Sequence, residues 1–108
     1  MTGTEAERQL LIVEDDDAFA RTLGRSFERR GYAVTHASNL EEAGALLETM
    51  SPGYAVVDLK LNGEASGLAC VQMLHRHNAK MLIVVLTGFA SIATAVEAIK
   101  LGACHYLA

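Results

Sequence analysis

Three stretches of this 108-residue chain pass from apolar residues to chemically capable ones within a single step. Tyr54-Ala55-Val56-Val57 stops at Asp58, Leu10-Leu11-Ile12-Val13 stops at Glu14-Asp15-Asp16-Asp17, and Met81 to Leu86 stops at Thr87-Gly88. Short apolar runs bounded by turn residues are buried strands, and strands apolar on both faces belong inside a parallel sheet. The C-terminal ends of such strands share one rim, where α/β proteins bind ligands. Glu14, Asp15, Asp58 and Thr87 therefore converge. Taken alone, Asp58 is a metal ligand, a nucleophile, or a cap accepting backbone N–H bonds from the next turn. Gathered carboxylates repel and raise one another's pKa unless a cation sits among them. All-oxygen donors with no Cys or His at ligand spacing suit Mg²⁺ or Mn²⁺, and Mg²⁺ commonly keeps waters and phosphate oxygens beside its carboxylates. A cation that neutralises a phosphoryl group lets a carboxylate approach it, which makes Asp58 a candidate nucleophile forming an aspartyl phosphate. The Thr87 hydroxyl is then placed to hydrogen-bond the transferred group, and Asp16 or Asp17 to cap the next helix.

Periodicity supplies the elements that would hold these residues. After the strand Leu10 to Val13, Phe19, Leu23 and Phe27 recur every four residues and predict a helix ending near Arg30, with Gly31 as its left-handed stop. Ala33 to Ala37 reads as a second strand. Ser38 with Glu41 forms a capping pattern ahead of Leu40, Ala43, Leu46 and Leu47, a helix closed by Ser51-Pro52-Gly53. The Tyr54 to Asp58 strand leads through a Gly-containing loop from Asn62 into a helix from about Ser66 to Arg76, with Leu68, Val71 and Leu74 inward. Met81 to Leu86 is the fourth strand. Ser91 caps a helix burying Ile92, Ala95, Val96 and Ile99, Gly102 stops it, and Ala103 to Leu107 is the last strand. Five strands alternating with four helices predict an α/β, doubly wound, parallel five-stranded sheet. A helix ordinarily follows the last strand of such a sheet, and without it part of an apolar face meets water.

With 51% hydrophobic residues, 20% charged and one Pro, the chain is expected to form one domain. No apolar run approaches the ~20 residues that span a bilayer. The polar, acidic first residues are unlike a secretory signal, so the expected location is cytoplasmic with no membrane partner. A formal net charge of −4 argues against this segment gripping nucleic acid. Cys70 and Cys104 fall in apolar segments and read as small, reduced core residues. His75 and His77 stand near a helix end, where positive charge is welcome, and His36 and His105 read as partly exposed polar residues. Arg25, Arg29 and Arg30 read as a solvated face.

As a set, LLIVEDDDAF, YAVVDLKL with its downstream SGL, VVLTGFASIATAVEAIKLGA and the closing HYLA resemble the receiver domain of two-component response regulators, across essentially the whole chain. The run from TGF through HYLA, with DLKL, is similar to the RegA/PrrA redox-responsive group, in which a receiver is joined to a Fis-like helix-turn-helix. The resemblance implies a flavodoxin-like, CheY-like sheet in the order 2-1-3-4-5. It implies that Asp58 takes phosphate from the phosphohistidine of a sensor histidine kinase. Asp15 and Asp58 would ligate Mg²⁺ directly, Lys60 through its backbone carbonyl and Glu14 through water. Thr87 would be the switch hydroxyl, Tyr106 the aromatic that follows it inward, and Gly88 the small residue that leaves the site open. The surface of the fourth helix and fifth strand would then change shape and control transcription through a helix-turn-helix domain outside this segment.

Two departures from the family's pattern stand out. Leu61-Asn62-Gly63-Glu64-Ala65-Ser66 lacks the stiff Met-Pro pair usual after the Asp, and the family's Lys would come immediately after Ala108. Residues 1–108 are thus expected to be a receiver domain, C-terminally truncated and without its last helix or DNA-binding output domain, whose open apolar face favours a homodimer. The expected role is a regulatory phosphoacceptor, not a turnover enzyme. Rival readings are a small Mg²⁺-dependent aspartyl phosphatase or phosphotransferase using Asp15-Asp16-Asp17 as its D-x-D, and a receiver-like interaction module that never takes phosphate. A dinucleotide or flavin binder needs a Gly-rich first turn, which acids replace here.

Overall fold

The two runs most apolar on both faces, β1 (Gln9–Val13) and β3 (Tyr54–Asp58), lie side by side in the middle of a sheet, where neighbours cover every edge. The computed structural model describes residues 8–60, 64–87 and 92–107. In chain order the other elements are α1 (Asp17–Glu28), β2 (Ala33–Ala37), α2 (Leu40–Leu46), α3 (Glu64–His77), β4 (Leu82–Leu86), α4 (Ile92–Leu101) and β5 (His105–Leu107). The sheet has five strands in the order β2-β1-β3-β4-β5, and every pairing is parallel. The first pairings align Val13 with both Ala37 and Val57, and Asp58 with Leu86, so the strand ends carrying the acids finish level.

Alternation along each strand splits the core in two. Leu11, Val13, Val57, Ile83 and Val85 face the side covered by α2, α3 and α4, where Ala43, Val71, Leu74 and Ala98 meet them. Leu10, Ile12 and Val56 face α1. On that side Tyr32 packs edge-on against Phe27 and Tyr54, with ring centroids 5.6 and 5.1 Å apart. An apolar groove of about 360 Å³ continues from these rings over β4 and β5, leaving Leu82 52% and Leu107 50% exposed. No helix among the described residues is long and apolar enough to cross a membrane.

Several local expectations shift. The cap of α2 is Asn39, whose side chain accepts the Glu42 N–H at 2.8 Å, while Glu42 reaches back to the Ser38 N–H at 2.7 Å. The Ser38/Glu41 pattern is thus displaced by one residue, because Asn is as good a cap as Ser and Glu42 stands three residues beyond it. Helix α3 begins at Glu64, two residues before Ser66. Met81 precedes β4, and β5 starts at His105, not Ala103. Phe19 is 44% exposed, and Val96 and Ile99 also face solvent. In their place the small residues Ala20, Gly24, Ala95 and Ala98 make the close approach. Apolar spacing alone cannot tell which side of an apolar helix will touch. Cys70 is buried, and burial pushes its thiol up to about 12; Cys104 is exposed beside the short edge strand β5, so only one of the two is a core residue. Gly31 (φ 92°) and Gly102 (φ 130°) supply the left-handed stops. Ser91 lies outside the described residues, as do the Gly88 turn and the loop from 61 to 63.

Helix α3 presses its first turn onto the backbone just after Asp58. A Cβ at Gly67 would lie 2.6 Å from the Leu59 carbonyl oxygen and 2.7 Å from its Cα, and backbone cannot yield as a side chain does. Gly67→Ala is expected to destabilise the chain by about 1–3 kcal/mol. In α2, a Cβ at Gly44 meets only Met73 Sδ at 3.5 Å, ordinary contact. Gly44→Ala is expected to stabilise by about 0.5–1 kcal/mol, having the better helix former. Urea unfolding of the two variants side by side checks both signs.

Candidate functional site

The end of β1 is tied down before any acid side chain is considered. The Glu14 N–H donates to the Ala37 carbonyl at 3.0 Å, and its own carbonyl oxygen lies 2.7 Å from His36 Nε2. Glu14 Oε2 accepts the Asp16 N–H at 3.1 Å, and Asp16 Oδ1 caps α1 by accepting the Phe19 N–H at 3.0 Å. Asp15 stands between them and is exposed. At the end of β3, Asp58 Oδ1 accepts the Lys60 N–H at 3.0 Å. The capping reading of Asp58 is therefore correct, and it occupies one carboxylate oxygen without excluding the others. At the end of β4, Thr87 is buried, and both its N–H and its Oγ1 donate to the Leu107 carbonyl, at 2.8 and 3.1 Å.

Glu14, Asp15 and Asp58 come together: each offers a carboxylate oxygen, and the three oxygens lie within 4.8 Å of one another. Glu14 and Asp58 border an opening of about 310 Å³ lined also by Asp16, Phe19 and Lys60. Glu14 is only 4% exposed. Burial pushes its carboxyl from the ordinary 4.5 up to about 7; the Asp16 N–H works against this, and the Asp58 charge and hydrogen bonds with Asp58 and Asp15 add to it. Removal from water is the main cause, and the neighbouring acids add to it. The hard oxygen donors and the mutual repulsion both fit a divalent cation.

Asp17 does not join the cluster found among the described residues; its Oδ1 accepts from Ser38 Oγ at 3.3 Å, on the far side of the first turn of α1. The D-x-D arrangement thus has its third acid elsewhere. Thr87 ends the neighbouring strand, with its hydroxyl turned to β5. Tyr106 pairs with Val85 in the sheet, but its side chain, like Gly88, lies outside the described residues. His36 escaped the sequence reading, since a contact across strands leaves no mark in residue spacing.

The comparisons with known proteins decide the family. The response regulator receiver domain matches residues 10–108. This chain belongs to that family. Among its relatives, the acid tolerance regulatory protein ActR of Sinorhizobium medicae is 46% identical over 102 residues, covering 94% of this receiver chain and 52% of the relative. The photosynthetic apparatus regulatory protein RegA of Cereibacter sphaeroides is 43% identical over 102 residues, covering 94% and 55%. The receiver thus spans about half the length of these relatives. A response regulator from Burkholderia pseudomallei, solved with a phosphorylated aspartic acid, a calcium ion and citrate, superposes with a TM-score of 0.85 at 46% identity, covering 93% of this chain and 58% of that one.

In the metal-free receiver, the raised Glu14 carboxyl makes the folded state hold more protons than the unfolded state between pH 4.5 and 7. Stability therefore falls as pH rises through that window, by up to about 3 kcal/mol. Thermal melts of chelator-treated protein should show this decline from pH 5 to 8, and Glu14→Gln should flatten it. A wild-type melting temperature that rises across the same interval, with Glu14→Gln parallel to it, would contradict the assignment.

Proposed function

We propose that this chain is a phosphoacceptor switch: Asp58 takes a phosphoryl group from the phosphohistidine of a sensor histidine kinase, with Mg²⁺ held by the clustered acids. The observation that carries the proposal is the meeting of Glu14, Asp15 and Asp58 oxygens within 4.8 Å at the ends of two adjacent strands. Asp15 and Asp58 would be the direct ligands, with Lys60 contributing its carbonyl and Glu14 acting through water. When bound, the ion neutralises charge on the incoming phosphoryl group. A carboxylate oxygen of Asp58 attacks phosphorus, the P–N bond to the imidazole breaks, and the product is an acyl phosphate on Asp58. The exposed side chain of Asp15 and the half-buried one of Asp58 leave the site open to a protein donor. The chain is chemically competent yet regulatory: it is modified once per signal and does not turn over a substrate.

The output follows from the bond at Thr87. Its hydroxyl now donates to the Leu107 carbonyl of β5. A dianionic phosphoryl oxygen on the neighbouring strand end is a stronger acceptor, so Thr87 exchanges partners and loosens β5, with Tyr106 following. The surface of α4 and β5 is thereby altered. In the longer cytoplasmic protein, that change reaches an output domain which controls transcription; the regulatory relatives of about twice this length support that reading.

Intact-mass measurement after incubation with a small phosphoramidate is expected to show one added phosphoryl group that requires Mg²⁺, disappears in Asp58→Asn and persists in Asp17→Asn. Loss confined to Asp17→Asn would sink the assignment and favour the phosphatase-like reading. No Mg²⁺-dependent change at all would favour an interaction module. Thr87→Val is expected to accept the phosphoryl group but to lose most of the amide chemical-shift change at Tyr106 and Leu107; a wild-type response there would remove Thr87 from the switch.

A further inference from the structure

His36, on the edge strand β2, reaches across to the turn that carries two of the three clustered acids. Its Nε2 lies 2.7 Å from the Glu14 backbone carbonyl oxygen. A carbonyl oxygen only accepts, so Nε2 carries the hydrogen and the ring is held in that tautomer or as the cation. The bond has a structural cause. In a parallel ladder the Glu14 carbonyl would take its N–H from the backbone of β2 beyond Ala37. Strand β2 ends at Ala37, and the chain bends through Ser38 and Asn39 into α2, so an imidazole supplies a donor where the ladder stops. The Glu14 N–H is already bonded to the Ala37 carbonyl at 3.0 Å. Both backbone polar groups of Glu14 are therefore held from β2.

The Glu14 carbonyl belongs to the peptide plane that joins Glu14 to Asp15. Fixing that plane sets the direction in which the Asp15 backbone leaves it, and with it the aim of an otherwise exposed carboxylate. The ring is half-buried and borders an open cleft that Asp17 and Arg21 of α1 and Ser38 also line, so its bond to the Glu14 carbonyl is what fixes its direction. We infer that His36 is a positioning residue for the divalent-cation site: its Nε2–H, donated to the Glu14 carbonyl, holds the peptide plane that presents Asp15 to the ion. The inference rests on the cation-binding role proposed above.

Calorimetric titration of the whole chain with Mg²⁺ tests it, using His36→Leu, which keeps bulk without a donor, and His36→Gln, whose amide N–H reaches about as far as Nε2. His36→Leu is expected to weaken Mg²⁺ binding roughly 10-fold and to shift the Asp15 amide resonance, whereas His36→Gln stays within about 3-fold of wild type. A purely structural role would lower the melting temperature of His36→Leu without changing its Mg²⁺ affinity, and that result overturns the inference. Equal weakening in both variants overturns it too, since the donor would then not matter. If His36→Leu does not fold, His36→Asn replaces it: its shorter amide is expected to lose affinity that His36→Gln retains, and equal affinities overturn the inference. A wild-type chain that binds no Mg²⁺ removes the cation role itself, and this inference with it.

Discussion

Burial of Glu14 beside the Asp58 carboxylate is the constraint around which this chain is built. Two carboxylates on adjacent strands, with a third beside them, are drawn within 4.8 Å while one of them is almost wholly removed from water. Such an arrangement is unfavourable in itself, and a fold tolerates it only where backbone geometry leaves the acids no alternative. Here the register supplies that geometry: Val13 pairs with Val57, so the residues that follow must emerge together. The conflict is partly relieved within the protein, through the Asp16 N–H on Glu14 and the Lys60 N–H on Asp58. The remainder appears as the raised Glu14 carboxyl, for which burial is the largest cause and the Asp58 charge a smaller one.

The two edge strands are connected to that centre by different bonds. From β2, His36 grips the carbonyl of Glu14; from β5, the Leu107 carbonyl holds the hydroxyl of Thr87. The first bond involves backbone on the side of the ligands and acts as a support. The second engages a side-chain hydroxyl, which rotates about a single bond and so can change partners without moving the backbone. Among the described residues, β5 lies at the edge of the sheet and pairs with β4 over His105 to Leu107.

Helix placement depends on small residues at the contacts. Ala20 and Gly24 let α1 lie close to β1 and β2, Ala98 does the same for α4, and Gly67 seats the start of α3 on Leu59, directly after Asp58. Large apolar residues on the same helices, Phe19 and Ile99 among them, remain outside. At Gly67 an added methyl group would meet backbone, whereas at Gly24 it would meet the side chains of Val34 and Ile12, so the contact beside Asp58 is the less forgiving of the two.

Much of this was legible in order along the chain. Val57 followed by Asp58 and Val13 followed by Glu14-Asp15 marked strand ends, and alternating apolar runs implied a parallel sheet whose topology gathers those ends on one rim. Glycines at 31 and 102 announced left-handed stops because few other residues adopt them. Local signals were weaker where two residues compete for one task, as Ser38 and Asn39 do at the start of α2, or where apolar residues occupy more than one side of a helix, as Ala95, Val96, Ala98 and Ile99 do in α4. The sequence by itself thus determined which chemical groups reach the rim, because strand periodicity and topology dictate that. Only the tertiary structure decided what each group does there: that Asp58 also caps its own turn, that Asp17 turns to Ser38, that Thr87 is held by β5, and that His36 supports Glu14. Those choices depend on distances between segments remote in sequence, and hydrogen bonding selects among them only once the strands have aligned.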